Sequence, residues 1–198
     1  MPVTLAKGQT IDLSKPDRGT DLTRVRMALG WDAKVVETRG LFGRVRRTER
    51  DIDLDASALL VSAGKVVDIV YFGQLRSKDG SLQHTGDNLT GAGDGDDESI
   101  LVDLGAVHAS VEHIVFTVNS YSGESFAEID NAYVRVVDSA ARDAELARYT
   151  LTGSGPHTAL VMARVSRTAA GWAFTAIGAP GRGRTAHELV ALALATLS

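Results

Sequence analysis

The sequence predicts an all-β fold, an antiparallel β-sandwich of about ten strands with a short C-terminal helix. Short stretches in which apolar and polar residues alternate recur along the whole chain. Turns rich in glycine separate these stretches, with 20 glycines among 198 residues. We find neither a linker nor an internal repeat, so a single domain over residues 1–198 is expected.

The predicted strands follow one another in chain order. In an early strand Val25, Met27 and Leu29 share one face, and the arginines between them share the other. A second strand places Ile52, Leu54 and Ala56 opposite a row of aspartates. The later segments that we interpret as strands are 65–72, 82–85, 99–104, 111–118, 132–137, 144–151, 159–167 and 171–177. A polar segment, 119–130, leaves room for one helical turn.

The last segment has helical features instead. Thr185 and Glu188 have the spacing of a capping box. Residues 189–195 are apolar without interruption and rich in alanine and leucine, which favours a helix over a strand. Since no basic polar face accompanies it, we expect this helix to pack on a sheet and not on a membrane.

Composition excludes several kinds of site. The chain has no cysteine, so it has no disulfide, zinc–thiolate site or thiol nucleophile. The N-terminus lacks the apolar run of a signal peptide, and no stretch approaches the length of a membrane span. We therefore expect a cytoplasmic protein. The formal net charge of -4 argues against nucleic acid as a partner.

An acidic loop runs from Gly86 to Glu98 and contains five acids and no base. Glycines between the acids let the backbone adopt positive φ, so several oxygens can point at one centre. Calcium suits such a loop because it accepts many oxygen ligands with flexible geometry. For Asp53 and Asp55, on the strand before the loop, two interpretations stay open. They form an exposed face opposite arginines, or they share the cation of the loop.

Other uses of the loop fit less well. Leu89 and Gly91 occupy EF-hand ligand positions, and Ala92 stands where that motif needs glycine. Five acids would repel a phosphate. Magnesium is the main rival ion, but it demands strict octahedral geometry. His84 is the histidine nearest the loop in sequence, and we interpret it as a hydrogen-bonded structural residue.

A basic segment covers residues 34–50 and carries five arginines. Such a segment could bind phosphate or a phospholipid headgroup. A solvated hairpin loop is the favoured interpretation, because blocks of like charge usually stay in solvent.

The chain resembles the TerD family of tellurium-resistance and stress-response proteins. The resemblance rests on Gly86-Asp87-Asn88-Leu89-Thr90-Gly91-Ala92-Gly93-Asp94-Gly95-Asp96-Asp97-Glu98, together with Leu29-Gly30-Trp31-Asp32, Asp53-Leu54-Asp55-Ala56-Ser57-Ala58 and Lys78-Asp79-Gly80-Ser81. It implies a bacterial, cytoplasmic, calcium-binding β-sandwich. It also implies these ion ligands: Asp53, Asp55, Asp87, Asn88, Asp96, Asp97 and Glu98, with backbone carbonyls near Gly91 and Gly93. The segment Phe72-Gly73-Gln74 departs from the Tyr-Asn-Gln that the family usually has.

Three functions follow as hypotheses. The first is a non-catalytic, calcium-binding protein of the stress response and tellurite resistance. The second is a calcium-dependent scaffold for protein or membrane partners, such as other tellurium-resistance proteins at the inner membrane surface. The third and least favoured is a metal-dependent hydrolase, because the sequence shows no nucleophile paired with a base.

Overall fold

The computed structural model of the protein describes residues 3–13, 22–33, 35–39, 45–49, 52–86, 95–151 and 155–197. Within these residues fourteen strands form. They are β1 (Val3–Thr4), β2 (Thr10–Asp12), β3 (Arg24–Ala33), β4 (Val35–Arg39), β5 (Val45–Glu49), β6 (Leu54–Ser62), β7 (Lys65–Val70), β8 (Leu82–His84), β9 (Glu98–Asp103), β10 (His113–Ser120), β11 (Ile129–Asp138), β12 (Ala144–Thr150), β13 (Ala159–Thr168) and β14 (Gly171–Gly181).

Twelve of the strands form two six-stranded sheets, and this arrangement confirms the predicted sandwich. Sheet A has the order β1-β12-β11-β3-β9-β8, and sheet B has the order β2-β14-β13-β10-β6-β7. Neighbours pair antiparallel, except that β1 runs parallel to β12. The described strands outnumber the predicted ten because short strands such as β1 carry too few residues to show a period.

The main core lies between the two sheets, and the alternation seen in the sequence sets which side chains enter it. Val25, Met27 and Leu29 of β3 are buried there, as are Leu54 and Ala56 of β6. Phe116 and Phe174 are among the largest fully buried side chains. Burying a side chain of that size stabilises the fold by about 2 kcal/mol.

A second apolar cluster lies on the other face of sheet B. Leu59 and Val61 point to this side of β6, and α1 (Val190–Ala195) covers them with Ala193. The C-terminal helix is therefore confirmed, preceded by a 3-10 turn over Ala186–Leu189. Across the described residues no helix is both long enough and apolar enough to cross a membrane.

The predicted capping box at this helix is wrong. The side chain of Thr185 makes no capping hydrogen bond. The turn is 3-10, so the backbone N–H of Glu188 donates to the Thr185 carbonyl oxygen instead, at 3.2 Å. The Glu188 carboxylate accepts from the backbone N–H of Arg184, at 3.0 Å. A capping box does form in the polar segment, where Ser125 and Glu128 bracket the 3-10 turn Phe126–Glu128.

The basic segment contains a hairpin. Strands β4 and β5 pair antiparallel with Glu37 opposite Arg47, and they form a two-stranded sheet separate from sheets A and B. The segment is therefore a hairpin as predicted, but two paired strands form where a loop was expected.

One end of the sandwich gathers the features that the sequence singled out, and we call it the loop end. Here β3 and β10 finish, and β6, β9 and β11 begin. Two contacts join the sheets at this end. The Trp31 indole N–H donates to the Ile52 carbonyl at 3.0 Å, and the backbone N–H of Ala56 donates to the Glu98 carboxylate at 2.7 Å.

Candidate metal site

Residues 95–98 form the part of the acidic loop that leads into β9, and we call them the acidic stem. The stem lies against sheet A at the loop end. The backbone N–H of Asp97 donates to the Leu29 carbonyl at 2.9 Å, and the Tyr133 hydroxyl donates to the Gly95 carbonyl at 2.7 Å. A Cβ at Gly30 would lie 2.5 Å from the Tyr133 ring and 2.6 Å from the Gly95 carbonyl oxygen. Only glycine at position 30 allows the stem to come this close.

Two arginines hold Asp96. Arg135 binds the carboxylate through Nε at 2.7 Å and Nη2 at 2.8 Å, and Arg26 binds it through Nη1 at 2.7 Å. The Asp96 side chain is only 8% exposed. Burial alone would raise its pKa, but the hydrogen bonds and charges of Arg135 and Arg26 outweigh burial and lower the pKa. This carboxylate attaches the stem to the outer face of sheet A, where its oxygens are already hydrogen-bonded to two arginines.

The neighbouring Asp97 has the opposite electrostatic environment. Its Oδ2 accepts a hydrogen bond from the backbone N–H of Trp31 at 2.9 Å. Burial raises the pKa of Asp97, and the negative charges of Asp32 and Asp96 raise it further against that hydrogen bond. A cation at this position would therefore stabilise the ionised carboxylate.

Glu98 points inward between the sheets, and its side chain is fully buried. Its Oε2 accepts from Ala56 N and lies 3.4 Å from Nε2 of His84. The Nδ1 of His84 accepts a hydrogen bond from the backbone N–H of Gly86 at 3.1 Å. These contacts confirm the structural role predicted for His84, and they place Glu98 as a link between β9 and β6.

Asp53 and Asp55 reach the loop end from sheet B. Since Leu54 and Ala56 enter the main core, Asp55 lies on the opposite face of β6. Asp55 is buried, and its Oδ2 accepts from the Asn119 amide at 2.9 Å. The half-buried Asp53 accepts the backbone N–H of Tyr121 at its own carbonyl, at 3.1 Å. Neither aspartate of this strand forms the exposed face that one interpretation of the sequence gave them.

The predicted ligands that the structure describes thus share one end of the molecule but do not converge on one point. Asp96 lies outside sheet A, Glu98 lies between the sheets, and Asp55 lies outside sheet B. Among the described residues no three histidine, aspartate or glutamate side chains converge as a metal site requires. Four further predicted ligands, Asp87, Asn88, Gly91 and Gly93, lie outside the described residues.

Two residues at the loop end, Asp32 and Asn119, were not predicted from the sequence as part of the site. Asp32 lies close enough to raise the pKa of Asp97, and its Oδ2 accepts from the Asn131 amide at 2.7 Å. Asn119 holds Asp55 and also donates to the Arg184 carbonyl at 2.8 Å. For Asp32 a signal was present, because it belongs to the Leu29-Gly30-Trp31-Asp32 segment on which the family resemblance partly rests, although no ligand role was predicted for it. For Asn119 the sequence carries no such signal.

Comparison with known proteins places this chain in a family. The family model for the TerD domain matches residues 1–193. The chain belongs to the TerD family.

Relatives of this TerD-family protein carry names linked to tellurium and stress. It is 45% identical over 188 residues to tellurium resistance protein TerZ of Serratia marcescens, with 94% of each chain covered. It is 40% identical over 187 residues to stress response protein SCP2 of Bacillus subtilis (strain 168), covering 90% of this chain and 92% of that one.

Solved structures agree with the fold. The crystal structure of a homologue of telluride resistance protein (TerD) from Streptomyces coelicolor A3(2) matches with a TM-score of 0.68 and 22% identity. The match covers 85% of this chain and 95% of the other. A likeness at this identity establishes the sandwich fold.

Proposed function

We propose that this TerD-family protein is a non-catalytic, calcium-binding protein of the bacterial stress response, with a role in tellurite resistance. The names of TerZ and SCP2 support the physiological role. We place it in the cytoplasm, with calcium and other tellurium-resistance proteins as partners. No role in nucleic-acid binding is proposed, since the chain is mildly acidic.

One observation carries the ion-binding part of the proposal. Asp97 is held by the Trp31 backbone in a position where burial and two neighbouring acids raise its pKa. Two arginines balance the charge of Asp96. The charges of Asp32 and Asp96 raise the pKa of Asp97, so its environment favours a bound cation. Five acids in the loop supply more negative charge than those arginines balance.

The residue types fit calcium. The donors named by the sequence are carboxylate, amide and carbonyl oxygens, without sulfur, and calcium takes six to eight oxygens of this kind. Asp97 would hold the ion together with Asp87, Asn88 and the carbonyls of Gly91 and Gly93. Asp53 and Asp55 would serve a site on the sheet B side of the same end. The bound ion supplies charge neutralisation.

The test compares calcium binding by the wild-type protein and by Asp97→Asn. The asparagine keeps an oxygen that can accept the Trp31 N–H, but it removes the charge. Native mass spectrometry with and without chelator counts the ions, and thermal unfolding reports their effect. At calcium about 100-fold above Kd, the wild-type protein should gain about 2.7 kcal/mol of stability.

The ion-free variant gives a second signature. A carboxylate whose folded-state pKa is raised destabilises the folded protein at pH above that pKa. Ion-free Asp97→Asn should therefore unfold at the same temperature as the ion-free wild type or higher, while losing most of the calcium response. Asp103→Asn, on the exposed side of β9, is the matched control and should respond to calcium like the wild type. A wild-type protein that binds no calcium at millimolar concentration would refute the proposal.

A further inference from the structure

A row of aromatic rings crosses the loop end, and we call Tyr71, Phe72, Tyr121 and His187 the ring row. Tyr71 contacts Phe72 and His187 edge to face, with ring centroids 5.3 and 5.4 Å apart. Phe72 contacts Tyr121 in the same way at 5.9 Å. The guanidinium of Arg184 lies 5.8 Å from the Tyr121 ring centroid and donates to the Tyr121 carbonyl at 2.7 Å. The row is therefore a connected surface drawn from three separate segments of the chain.

The ring row keeps apolar area in solvent. Phe72 is 37% exposed and Tyr121 is 46% exposed. Among the described residues only three other large hydrophobic side chains are as exposed, namely Val45, Val67 and Leu75. Single exposed apolar residues are ordinary, whereas adjoining exposed rings form a candidate contact surface.

The row adjoins the predicted ion ligands. Tyr121 N donates to the carbonyl of Asp53, and Asn119 joins the carboxylate of Asp55 to the carbonyl of Arg184. An ion held on this side of the loop end would lie beside the rings. The inference below consequently rests on the proposed function.

Basic residues lie at one end of the row. Arg184 contacts the Tyr121 ring and is exposed, as is Arg182 two residues before it, while the carboxylate of Glu188 accepts from the backbone of Arg184. The basic hairpin segment, residues 34–50, joins the end of β3 to the start of β6, and it carries six basic residues against two acidic ones. The acidic loop at the same end opposes these charges. A bound calcium would neutralise part of the loop and leave the end attractive to anions.

The edge of the sheet beside the row is closed to an added peptide strand. Asp68 of the edge strand β7 accepts from its neighbour's backbone, Ile69 N, at 3.1 Å. It also accepts from Lys78 N at 2.7 Å, and Lys78 Nζ donates to the Val67 carbonyl at 3.5 Å. Strand addition needs open backbone groups, so this edge does not favour a peptide partner.

We propose that the ring row and its flanking arginines dock the calcium-loaded protein on an anionic lipid bilayer. Tyrosine and phenylalanine rings are suited to the headgroup region, since they combine an apolar body with, in tyrosine, a polar tip. Arginines beside the rings bind lipid phosphates. Calcium removes the repulsion between the acidic loop and those phosphates.

The experiment is sedimentation of the full chain with vesicles of phosphatidylcholine alone, or of phosphatidylcholine mixed with phosphatidylglycerol. Each mixture is tested with calcium, with magnesium and with chelator. The wild-type protein should sediment only with the anionic vesicles in calcium. Phe72→Ser combined with Tyr121→Ser should reduce the bound fraction about tenfold, because apolar contact supplies much of the binding energy. Val67→Ser is the control, since Val67 is 47% exposed but lies outside the row.

Ion counting by native mass spectrometry on the same samples separates the two proposals. Calcium binding without sedimentation on anionic vesicles would overturn the docking proposal and leave the proposed function intact. The absence of both would overturn both. Sedimentation of the ring variant at the wild-type level would also overturn the docking proposal, and circular dichroism verifies that the variant is folded. Binding to neutral and anionic vesicles alike would contradict the role given to the arginines.

Discussion

Two Asp–Gly segments of this protein differ in how the charge of their aspartates is balanced. One is the turn over residues 77–81, which contains Asp79 and Gly80 and joins β7 to β8. The other is the acidic stem with Asp96 and Asp97. Both place aspartate next to glycine between strands, so a sequence pattern alone would treat them alike.

The Asp79 turn satisfies its own charge. The carboxylate accepts from the hydroxyls of Ser77 and Ser81, at 2.7 and 2.6 Å, and from the backbone N–H groups of Ser81 and His108, at 3.0 and 3.1 Å. Burial opposes ionisation, but these hydrogen bonds prevail and lower the pKa of Asp79 to about 2. These hydrogen bonds stabilise the ionised Asp79 without a bound cation.

The acidic stem depends instead on distant residues. Arg26 and Arg135 reach Asp96 from β3 and β11, and Asp97 keeps a raised pKa beside Asp32. Hydrogen-bond donors close to an aspartate, more than the number of acids around it, therefore decide whether it is a structural residue or an ion-ligand candidate. Four substitutions test this comparison.

The largest effect is expected for Glu98→Ala. It leaves the buried N–H of Ala56 without its acceptor and opens space between the sheets, which should cost about 3 kcal/mol. Chemical denaturation measures the loss. Glu112→Ala is the matched control, because Glu112 also accepts a backbone N–H, that of Ala63 at 3.2 Å, but is exposed. Equal losses in both variants would contradict the role assigned to burial.

Arg135→Met should have the next largest effect. It removes the bidentate partner of Asp96 on a side chain that is 22% exposed, at a cost of about 2 kcal/mol. The calcium-induced rise in melting temperature should shrink as well, because the stem loses its anchor. Arg24→Met disrupts an exposed pair with Asp103 and should cost well under 1 kcal/mol. An unchanged calcium response in Arg135→Met would show that the stem needs no anchor.

Asp79→Ala tests the turn whose own hydrogen bonds balance its charge. The exposed turn should lose about 1 kcal/mol after allowance for solvent screening, equally with calcium and with chelator. Since the folded-state pKa is lowered, the stabilisation by Asp79 is present above the ordinary value of 3.8 and disappears as pH falls toward 2. Acid unfolding curves of the wild type and the variant should therefore converge in that window. A loss of stability that differs between calcium and chelator would show that this turn also responds to the ion.

Tyr133→Phe should have the smallest effect. It deletes the hydrogen bond from the Tyr133 hydroxyl to the Gly95 carbonyl and costs about 0.5–1 kcal/mol. A modest decrease in calcium affinity, measured by titration calorimetry, should accompany it. Tyr149→Phe removes a half-buried hydroxyl from β12 and serves as the control. If the two variants lose calcium affinity equally, the hydroxyl of Tyr133 has no specific role in the stem.

Much of the fold was predictable because it depends on local pattern. The alternation in residues 25–29 places Val25 and Leu29 in the core, and the run 189–195 forms the end of a 3-10 turn and the helix α1. The position of the acidic loop between β8 and β9 also follows from chain order. These features depend on periods of two and of three to four residues, which any short window shows.

The candidate site was less predictable, because its contacts depend on strand register. Asp96 meets Arg26 across 70 residues and Arg135 across 39, and no local signal pairs them. The period of two predicted Asp53 and Asp55 on one face of a strand, and in the structure β6 begins at Leu54 and includes only Asp55 of the two. The period could not show that Glu98 would enter from the other side of β6 and occupy the N–H of Ala56. The joint site predicted for these acids and the loop therefore stays a prediction.

Gly30 has a consequence beyond its strand. Because Tyr133 and the Gly95 carbonyl leave no space for a methyl group there, even alanine would displace the acidic stem and the Tyr133 ring. Such a change alters neither the number of charges nor any hydrogen-bonding side chain. A substitution at position 30 thus changes the position of the acidic stem without changing its charged groups.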